Sequence, residues 1–165
     1  MQRVYSLLVD NNSGVLSRIS GLFTRRGYNI DSITAGVTAD PRFTRITIVS
    51  SGDEIILSQI EKQIAKLEDV IVVKVLKPEE SVYRELILVK FRANAQQRSE
   101  IVSIADIFRA KIVDAERESL VIELTGTQSK LEAFLQLLDG YEILELARTG
   151  IAGLSRGIKD VTFIE

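Results

Sequence analysis

Apolar and polar positions along the chain alternate between a strand-like and a helix-like period, and the same order of elements occurs twice. In the first half the pattern predicts strand, helix, strand, strand, helix and strand at residues 3–10, 14–26, 30–38, 43–50, 56–67 and 70–76. Five of the eight residues at 43–50 are β-branched, which is a strong strand signal. The order βαββαβ predicts a ferredoxin-like module, in which two helices cover one face of a four-stranded antiparallel sheet.

The second half repeats this order after a break. Proline and charge at Lys77–Ser81 interrupt the pattern. Strands are then expected at 84–91, 111–115, 120–124 and 143–147, with helices that carry the stripes Ile101, Ile104, Ile107, Phe108 and Leu131, Phe134, Leu135, Leu138. We therefore predict the α+β class with two ferredoxin-like βαββαβ modules: residues 1–77, a linker at 78–83, and residues 84–165, which include a C-terminal tail.

Two predicted strands are apolar on both faces, at residues 70–73 and 86–89. Strands of this kind are normally buried on both sides, whereas two helices cover only one face of a sheet. Modules of about 75 residues also have small cores. Either the two modules pack on each other or the chain forms a homodimer or larger oligomer, and the oligomer is the more economical hypothesis.

Composition narrows the function classes. The chain contains neither cysteine nor histidine, so a disulfide framework, the usual zinc ligands and the commonest general base are all excluded. Its 21 basic and 23 acidic residues are interspersed, which indicates no nucleic-acid partner. Its apolar runs are far shorter than a membrane span of about 20 residues, and the absence of cysteine gives no evidence of an oxidising compartment, so we expect a cytoplasmic protein. Catalysis by other side chains and oxygen-ligated Mg²⁺ stay open, but the composition favours a non-enzyme.

The turn between the first strand and the first helix is the candidate site. Asn12 or Ser13 is expected to cap the helix. Gly14 leaves the first turn without a side chain, so a small ligand could reach the helix N–H groups, which favour a carboxylate. From spacing alone, however, the turn supports little more than an ordinary crossover between strand and helix.

Other functions find less support. An RNA-recognition motif has this topology but needs aromatic residues in its middle strands, and residues 45–49 carry none. An enzyme could use Arg84, Glu85 and Lys90, although charges at a strand end are usually solvated. The glycine-rich stretch 150–157 lacks the lysine of a phosphate loop, so we predict a flexible tail that contacts a partner.

Several short motifs together carry a family resemblance. The N-terminal half resembles an ACT domain, a module that senses small molecules, and the whole chain resembles the small regulatory subunits of acetolactate synthase (acetohydroxyacid synthase). The matching segments are Asn11-x-Ser13-Gly14-x-Leu16-Ser17-Arg18, Gly21-Leu22-Phe23-x-x-Arg26-Gly27-Tyr28-Asn29-Ile30, Gln59-Ile60-Glu61-Lys62-Gln63, Arg84-Glu85-Leu86 and Gly153-Leu154-Ser155-Arg156-Gly157.

The resemblance implies a non-catalytic subunit of branched-chain amino-acid biosynthesis. Such a chain binds no cofactor itself; it activates a catalytic large subunit, which uses thiamin diphosphate, Mg²⁺ and FAD, and it confers feedback inhibition, typically by valine. The effector site of the family lies between two ACT domains. Carried over by motif, it comprises Asn11, Gly14, Val15, Leu16, Ser17, Asn29, Ile30, Gly36 and Gln59, with Asn29 and Ile30 coming from across the dimer interface. Relatives often have alanine at position 36, so the role of Gly36 is in doubt.

The chemistry of these residues suits a free amino acid. Backbone N–H groups after Gly14 would bind its carboxylate, and the amide oxygens of Asn11 and Asn29 would accept from its ammonium group. Val15, Leu16 and Ile30 are candidates for the apolar pocket. One methylene changes the binding free energy by only about 1–3 kcal/mol, so valine comes from the resemblance. The alternative is a stand-alone amino-acid-sensing ACT protein without a synthase.

Overall fold

The computed structural model describes residues 1–159 and 161–162. These residues form two compact units. The first unit contains residues 1–83 together with the described residues from Gly150 onward, and the second is Arg84–Thr149. The sequence-based division placed the segment after residue 149 in the second domain, so the two divisions differ in that segment.

The first unit has the predicted order of elements. They are β1 (Gln2–Asp10), α1 (Val15–Arg26), β2 (Ser32–Val37), β3 (Phe43–Ser51), α2 (Glu54–Ile64) and β4 (Val70–Leu76). The sheet order is β2-β3-β1-β4, and every pair is antiparallel. The ferredoxin-like prediction for this half is therefore confirmed.

One apolar core lies between this sheet and its two helices. Alternate residues of β1 and β3 point into it, because side chains along a strand alternate between the two faces. Both helices add residues at helical spacing, which explains their amphipathic patterns. The fully or nearly fully buried members are Tyr5, Leu7, Val9, Val15, Ile19, Leu22, Phe23, Ile46, Ile48, Leu57, Ile60 and Ile64.

The helix ends follow ordinary capping chemistry except at one place. Asp53 caps α2 by accepting from the Ile56 N–H at 2.8 Å. Gly27 ends α1 with a left-handed φ of 67°. The expectation that Asn12 or Ser13 caps α1 is wrong: Gly14 occupies the N-cap position, and among the described residues no side chain caps this helix.

The second unit repeats the topology. A short 3₁₀ helix (Pro78–Glu80) leads into a long strand, so only the first part of the predicted linker is an irregular connection. The elements that follow are β5 (Ser81–Arg92), α3 (Ala95–Ile107), β6 (Lys111–Ala115), β7 (Ser119–Gly126), α4 (Gln128–Leu137) and β8 (Ile143–Arg148). The order β6-β7-β5-β8 confirms the prediction of a second ferredoxin-like module.

The second sheet keeps one apolar face under its helices. Ile87, Val89 and Phe91 of β5 are fully buried there with Ile122 of β7. The outer faces of the doubly apolar strands are partly exposed in the single chain, where Leu88 and Ile71 are 38% and 40% exposed. Such apolar surface is available to a partner, and the homodimer or larger oligomer stays a prediction.

The tail that was expected to be flexible instead contains a ninth strand, β9 (Ala152–Ser155), which pairs with β5. Ile151, immediately before it, is only 7% exposed. Pairing and burial fix this segment against the first unit, so the expectation of a flexible tail is wrong for residues 150–155.

Candidate functional site

The candidate site begins at Gly14, the N-cap of α1. Its φ is 87°, a left-handed conformation that glycine adopts without steric cost. Its carbonyl accepts from the Arg18 N–H at 2.9 Å, which closes the first helical turn. The first N–H groups of any helix lack intrahelical partners, and the first turn of α1 contains no acidic residue to satisfy them. This helix end therefore offers an anion both backbone N–H donors and the positive end of the helix dipole.

Arg18 adds a second positive group at this end. A Cβ atom built on Gly14 would lie 3.0 Å from Arg18 Nη1, so the guanidinium lies directly beside the glycine. Its Nε forms an ion pair with Asp69 Oδ2 at 2.5 Å, and Asp69 also accepts the Asp10 N–H through its carbonyl. Arg18 was not among the site residues predicted from the sequence. Its position four residues after Gly14 is the signal that could have found it, since residues i and i+4 are neighbours on a helix.

Asn11 is held by the loop between β2 and β3. Its Nδ2 donates to the Pro41 carbonyl at 2.9 Å, its backbone N–H donates to the Arg42 carbonyl, and its Oδ1 accepts from Thr44 Oγ1 at 3.1 Å. One lone pair of Oδ1 is thus used, and the second can still accept from an ammonium group.

The same loop is fixed by its own charges. The Arg42 guanidinium donates to both carboxylate oxygens of Asp40 and lowers the pKa of that carboxyl group. Arg42 also lies over the Phe43 ring, 5.1 Å from its centroid. This loop therefore gives Asn11 a defined position beside the start of α1.

The three residues after Gly14 differ in exposure. Val15 is 4% exposed and belongs to the core, so it supports the turn rather than lining a pocket. Leu16 is 50% exposed and Ser17 is exposed. Leu16 is thus the apolar side chain of this turn that a ligand or a second chain can reach.

Asn29 and Ile30 lie beyond the other end of α1. The backbone carbonyl of Asn29 accepts from Ser50 Oγ at 2.5 Å, and the side-chain Nδ2 of Asn29 donates to Asp31 Oδ1. Ile30 packs partly buried against the first core. Gln59, exposed on α2, accepts a long 3.4 Å hydrogen bond from the Tyr28 hydroxyl, so it belongs to this same end.

Gly36 lies on the edge strand β2 opposite Arg45, next to the pair Val37–Thr44. This places it towards the Asn11 end of the sheet. Among the described residues no atom lies within 4 Å of a Cβ built on it. The position accepts a small side chain, which agrees with the alanine expected there from the resemblance.

The structure therefore gathers the predicted residues into two groups. Asn11, Gly14, Leu16, Ser17 and Gly36 lie towards one end of the first unit, and Asn29, Ile30 and Gln59 lie towards the other. Helix α1 has 12 residues and is thus about 18 Å long, which separates the two groups within one chain. A single site that uses both groups requires a second copy of the chain.

Within residues 1–159 and 161–162, no cluster of three or more acidic side chains is placed to hold a metal ion. None of the described helices combines the length and apolar character needed to cross a membrane.

Comparison with known proteins gives one consistent result. Residues 5–72 match the family model described as the AHAS small subunit-like ACT domain, and residues 84–157 match the small subunit of acetolactate synthase. A probable acetolactate synthase small subunit from Methanothermobacter thermautotrophicus is 48% identical over 155 residues, which cover 93% of this chain and 92% of that protein.

A second relative and a solved structure agree. The small subunit of acetolactate synthase isozyme 3 from Escherichia coli is 47% identical, with 96% of this chain and 98% of that protein covered. The crystal structure of the acetolactate synthase small subunit from Thermotoga maritima matches with a TM-score of 0.88 and 42% identity. It covers 96% of this chain and 99% of that one.

Proposed function

Because the chain belongs to the acetolactate synthase small-subunit family, we propose that it is the regulatory, non-catalytic subunit of an acetolactate synthase. It binds the catalytic large subunit, raises the activity of that subunit and makes it sensitive to feedback inhibition by valine. The resemblance expected from the sequence motifs is confirmed at the level of the family. Activation and the identity of the effector are our proposals.

The observation that carries this proposal is the uncapped start of α1 at Gly14. Backbone N–H groups, the helix dipole and the Arg18 guanidinium all favour a carboxylate at this place. The second lone pair of Asn11 Oδ1 suits the ammonium group, and Leu16 offers an aliphatic contact. Together these groups match the three parts of an aliphatic α-amino acid.

The effector site is proposed to form between two copies of the first unit. Asn29 and Ile30 lie about one helix length from Gly14 in the same chain, so the partner copy would supply them. Ser17, Gly36 and Gln59 complete the set of positions carried over from the resemblance. A homodimer or larger oligomer is therefore part of the proposal.

The two units are proposed to divide the work. Effector sensing belongs to the first unit, and the second unit helps to bind or activate the large subunit. The thiamin diphosphate, Mg²⁺ and FAD of the holoenzyme would belong to the large subunit, and this chain would act with it in the cytoplasm.

The test is reconstitution of the enzyme. The purified chain alone should form no acetolactate from pyruvate when thiamin diphosphate, Mg²⁺ and FAD are present. Added to the purified large subunit, it should raise the rate severalfold, and valine titration should then lower the rate. Leucine and isoleucine serve as competing effectors, and the large subunit alone serves as the valine-insensitive control.

Two outcomes would contradict the proposal. A large subunit whose rate does not change on addition of the chain would remove the assignment as a synthase subunit. If the chain bound valine in calorimetry but failed to associate with the large subunit in sedimentation, the stand-alone sensor would replace it.

A further inference from the structure

The face of the first sheet that points away from its helices carries a row of residues across all four strands. Ser32 of β2 pairs with Val49 of β3, Val49 with Val4 of β1, and Val4 with Leu76 of β4. The neighbours Tyr5 and Ile48 point into the helix-side core, so this row lies on the opposite face.

The segment 150–155, which we name the C-terminal strap, crosses this row. Ile151 is buried in a cluster with Val4, Val49 and Leu76. A Cβ atom built on Gly150 would lie close to Ser32 and Thr34 of β2, and one built on Gly153 would lie close to Leu76 of β4. The strap therefore runs from one edge strand to the other.

Close approach explains both glycines. The Cβ built on Gly150 would be 2.7 Å from Thr34 Oγ1 and 3.0 Å from Ser32 Cβ. The Cβ built on Gly153 would be 2.9 Å from Leu76 Cδ1. Real Cβ atoms are essentially never found under 3.0 Å from such neighbours, so a larger residue at either position requires a shift. At Gly153 the flexible end of the Leu76 side chain can move away, whereas at Gly150 the Cβ of Ser32 also lies close, so there the strap or β2 itself has to move.

The backbone holds the C-terminal part of the strap. Its β9 part pairs with β5, and the Arg156 N–H, immediately after the strap, donates to the Glu80 carbonyl at 2.7 Å. These bonds and the burial of Ile151 keep the strap on the sheet.

One buried polar group beneath the strap opposes the packing of the strap on the sheet. Thr34 Oγ1 is inaccessible to solvent and has no hydrogen-bond partner among the described residues. A buried polar group without a partner costs free energy, which would be recovered if the strap lifted and admitted water. The apolar contacts of Ile151 stabilise the strap against this displacement.

We propose that Gly150 and Ile151 are positioning residues of the effector site, because they hold the edge strand β2 in the conformation that binds the effector. Gly36, an effector-site position, lies on the same face of β2 as Ser32 and Thr34. Displacement of the strap would free β2 and lower the sensitivity to the effector. This inference rests on the proposed function of the first unit.

The first experiment measures hydrogen exchange in the full chain. Ile151→Ser should speed amide exchange in Ser32–Val37 at least tenfold, while amides of α2 keep their rates. Leu154→Ser is the matched control, since Leu154 lies in the same strap but is 58% exposed. Equal rates in β2 for Ile151→Ser and the unchanged chain would overturn the proposal.

The second experiment uses the reconstituted synthase. Ile151→Ser and the milder Gly150→Ala should raise the valine concentration for half-inhibition at least fivefold, with activation in the absence of valine kept within twofold. Thr34→Ala, added to Gly150→Ala, removes the nearest atom and should recover at least half of that shift.

The outcomes of these experiments distinguish a failure of the proposed role of the strap from a failure of the proposed regulatory function. Parallel loss of activation and inhibition in both variants would leave the strap a purely structural role and overturn the proposal. Unchanged half-inhibition in both would overturn it as well. If the unchanged chain shows no inhibition by valine, leucine or isoleucine, the proposed function fails, and the exchange rates in β2 still decide whether the strap holds that strand.

Discussion

Gly14 shows how one residue can serve both the backbone and a ligand. At φ 87° any other residue is strained by about 1–3 kcal/mol, so glycine is required for the turn itself. From the sequence alone, an aspartate at this helix start would be expected to leave the fold unharmed, since acids are favoured there. The left-handed backbone corrects that expectation, and a test of the site must separate strain from charge.

We predict that Gly14→Asp and Gly14→Ala differ in regulation but not in strain. Both should lower the free energy of unfolding because both place a Cβ at a positive φ, Gly14→Ala by about 1–3 kcal/mol. Gly14→Asp should lose less, since an acid near a helix N-terminus is favourable by about 0.3–1 kcal/mol. Only the aspartate puts a carboxylate beside Arg18 and the helix N–H groups, where the effector carboxylate would bind. Half-inhibition by valine should therefore rise at least tenfold in Gly14→Asp and less than threefold in Gly14→Ala, measured on the reconstituted synthase beside urea unfolding of each variant.

Gly140→Asp is the matched control for this pair. Gly140 also has a left-handed φ, 97°, but it lies in the second unit and is not an effector-site position. This variant should lose stability because of its strained backbone and should keep its valine response. Equal loss of response in Gly14→Ala and Gly14→Asp would show that the shape of the turn, rather than its charge, controls the effector.

At the scale of elements, most of the fold could be predicted from the sequence, because most helices and strands have apolar residues at the spacing typical of that element. The strand at Val70–Leu76 was predicted with its observed ends. The cap of α1 was missed because Gly14, rather than a polar side chain, occupies that position. The strand Ala152–Ser155 was missed because four residues with one glycine have little strand propensity, and its pairing with β5 joins parts of the chain that are distant in sequence.

The residue pattern of the sequence predicted less of the candidate site than of the fold. Spacing indicated the turn at Gly14 but could not identify Asn29, Gln59 or Gly36, which lie in the connection after α1, on α2 and on β2. Those positions came from the resemblance. Arg18 was not predicted although it lies four residues after Gly14, because an arginine on an amphipathic helix is usually a solvated residue; its closeness to Gly14 in the structure identifies it.

Tyr5, which links β1 to α2, makes the stability of the first unit depend on pH. Tyr5 is fully buried, and its hydroxyl donates to the Leu57 carbonyl at 2.7 Å. Burial raises the pKa of Tyr5 to about 12, above its ordinary value of 10.0. The folded state therefore favours the neutral phenol, so this contribution to stability is complete below pH 10 and is lost as the pH rises towards 12.

Replacement of Tyr5 by phenylalanine should remove this pH dependence. At pH 7 the variant should lose about 1 kcal/mol of unfolding free energy with the hydrogen bond. Between pH 10 and 12 its stability should fall less steeply than that of the unchanged chain. Urea unfolding across this range measures both effects, and parallel curves for the two proteins would refute the assignment to Tyr5.

On the scale of the whole molecule, the first unit is discontinuous in sequence, and this changes how it can be isolated. A fragment that ends at Lys77 was expected from the sequence to carry effector sensing by itself. In the structure such a fragment lacks Ile151 and leaves Val4, Val49 and Leu76 uncovered. Burial of one isoleucine side chain contributes about 1.5–3 kcal/mol, a large part of the stability of a small unit.

We predict that a chain with the second unit excised is the smallest fragment that keeps the first unit intact. The ends to be joined are close, because β5 and β8 are antiparallel neighbours and the Thr149 N–H donates to the Leu86 carbonyl. Residues 1–83 connected by three or four glycines to residue 150 should unfold at a higher urea concentration than residues 1–77 and should still bind valine in calorimetry. Ile151→Ser in the joined chain is the control, and it should remove most of the added stability. Equal urea midpoints for the joined chain and residues 1–77 would mean that the strap adds nothing to the unit it covers.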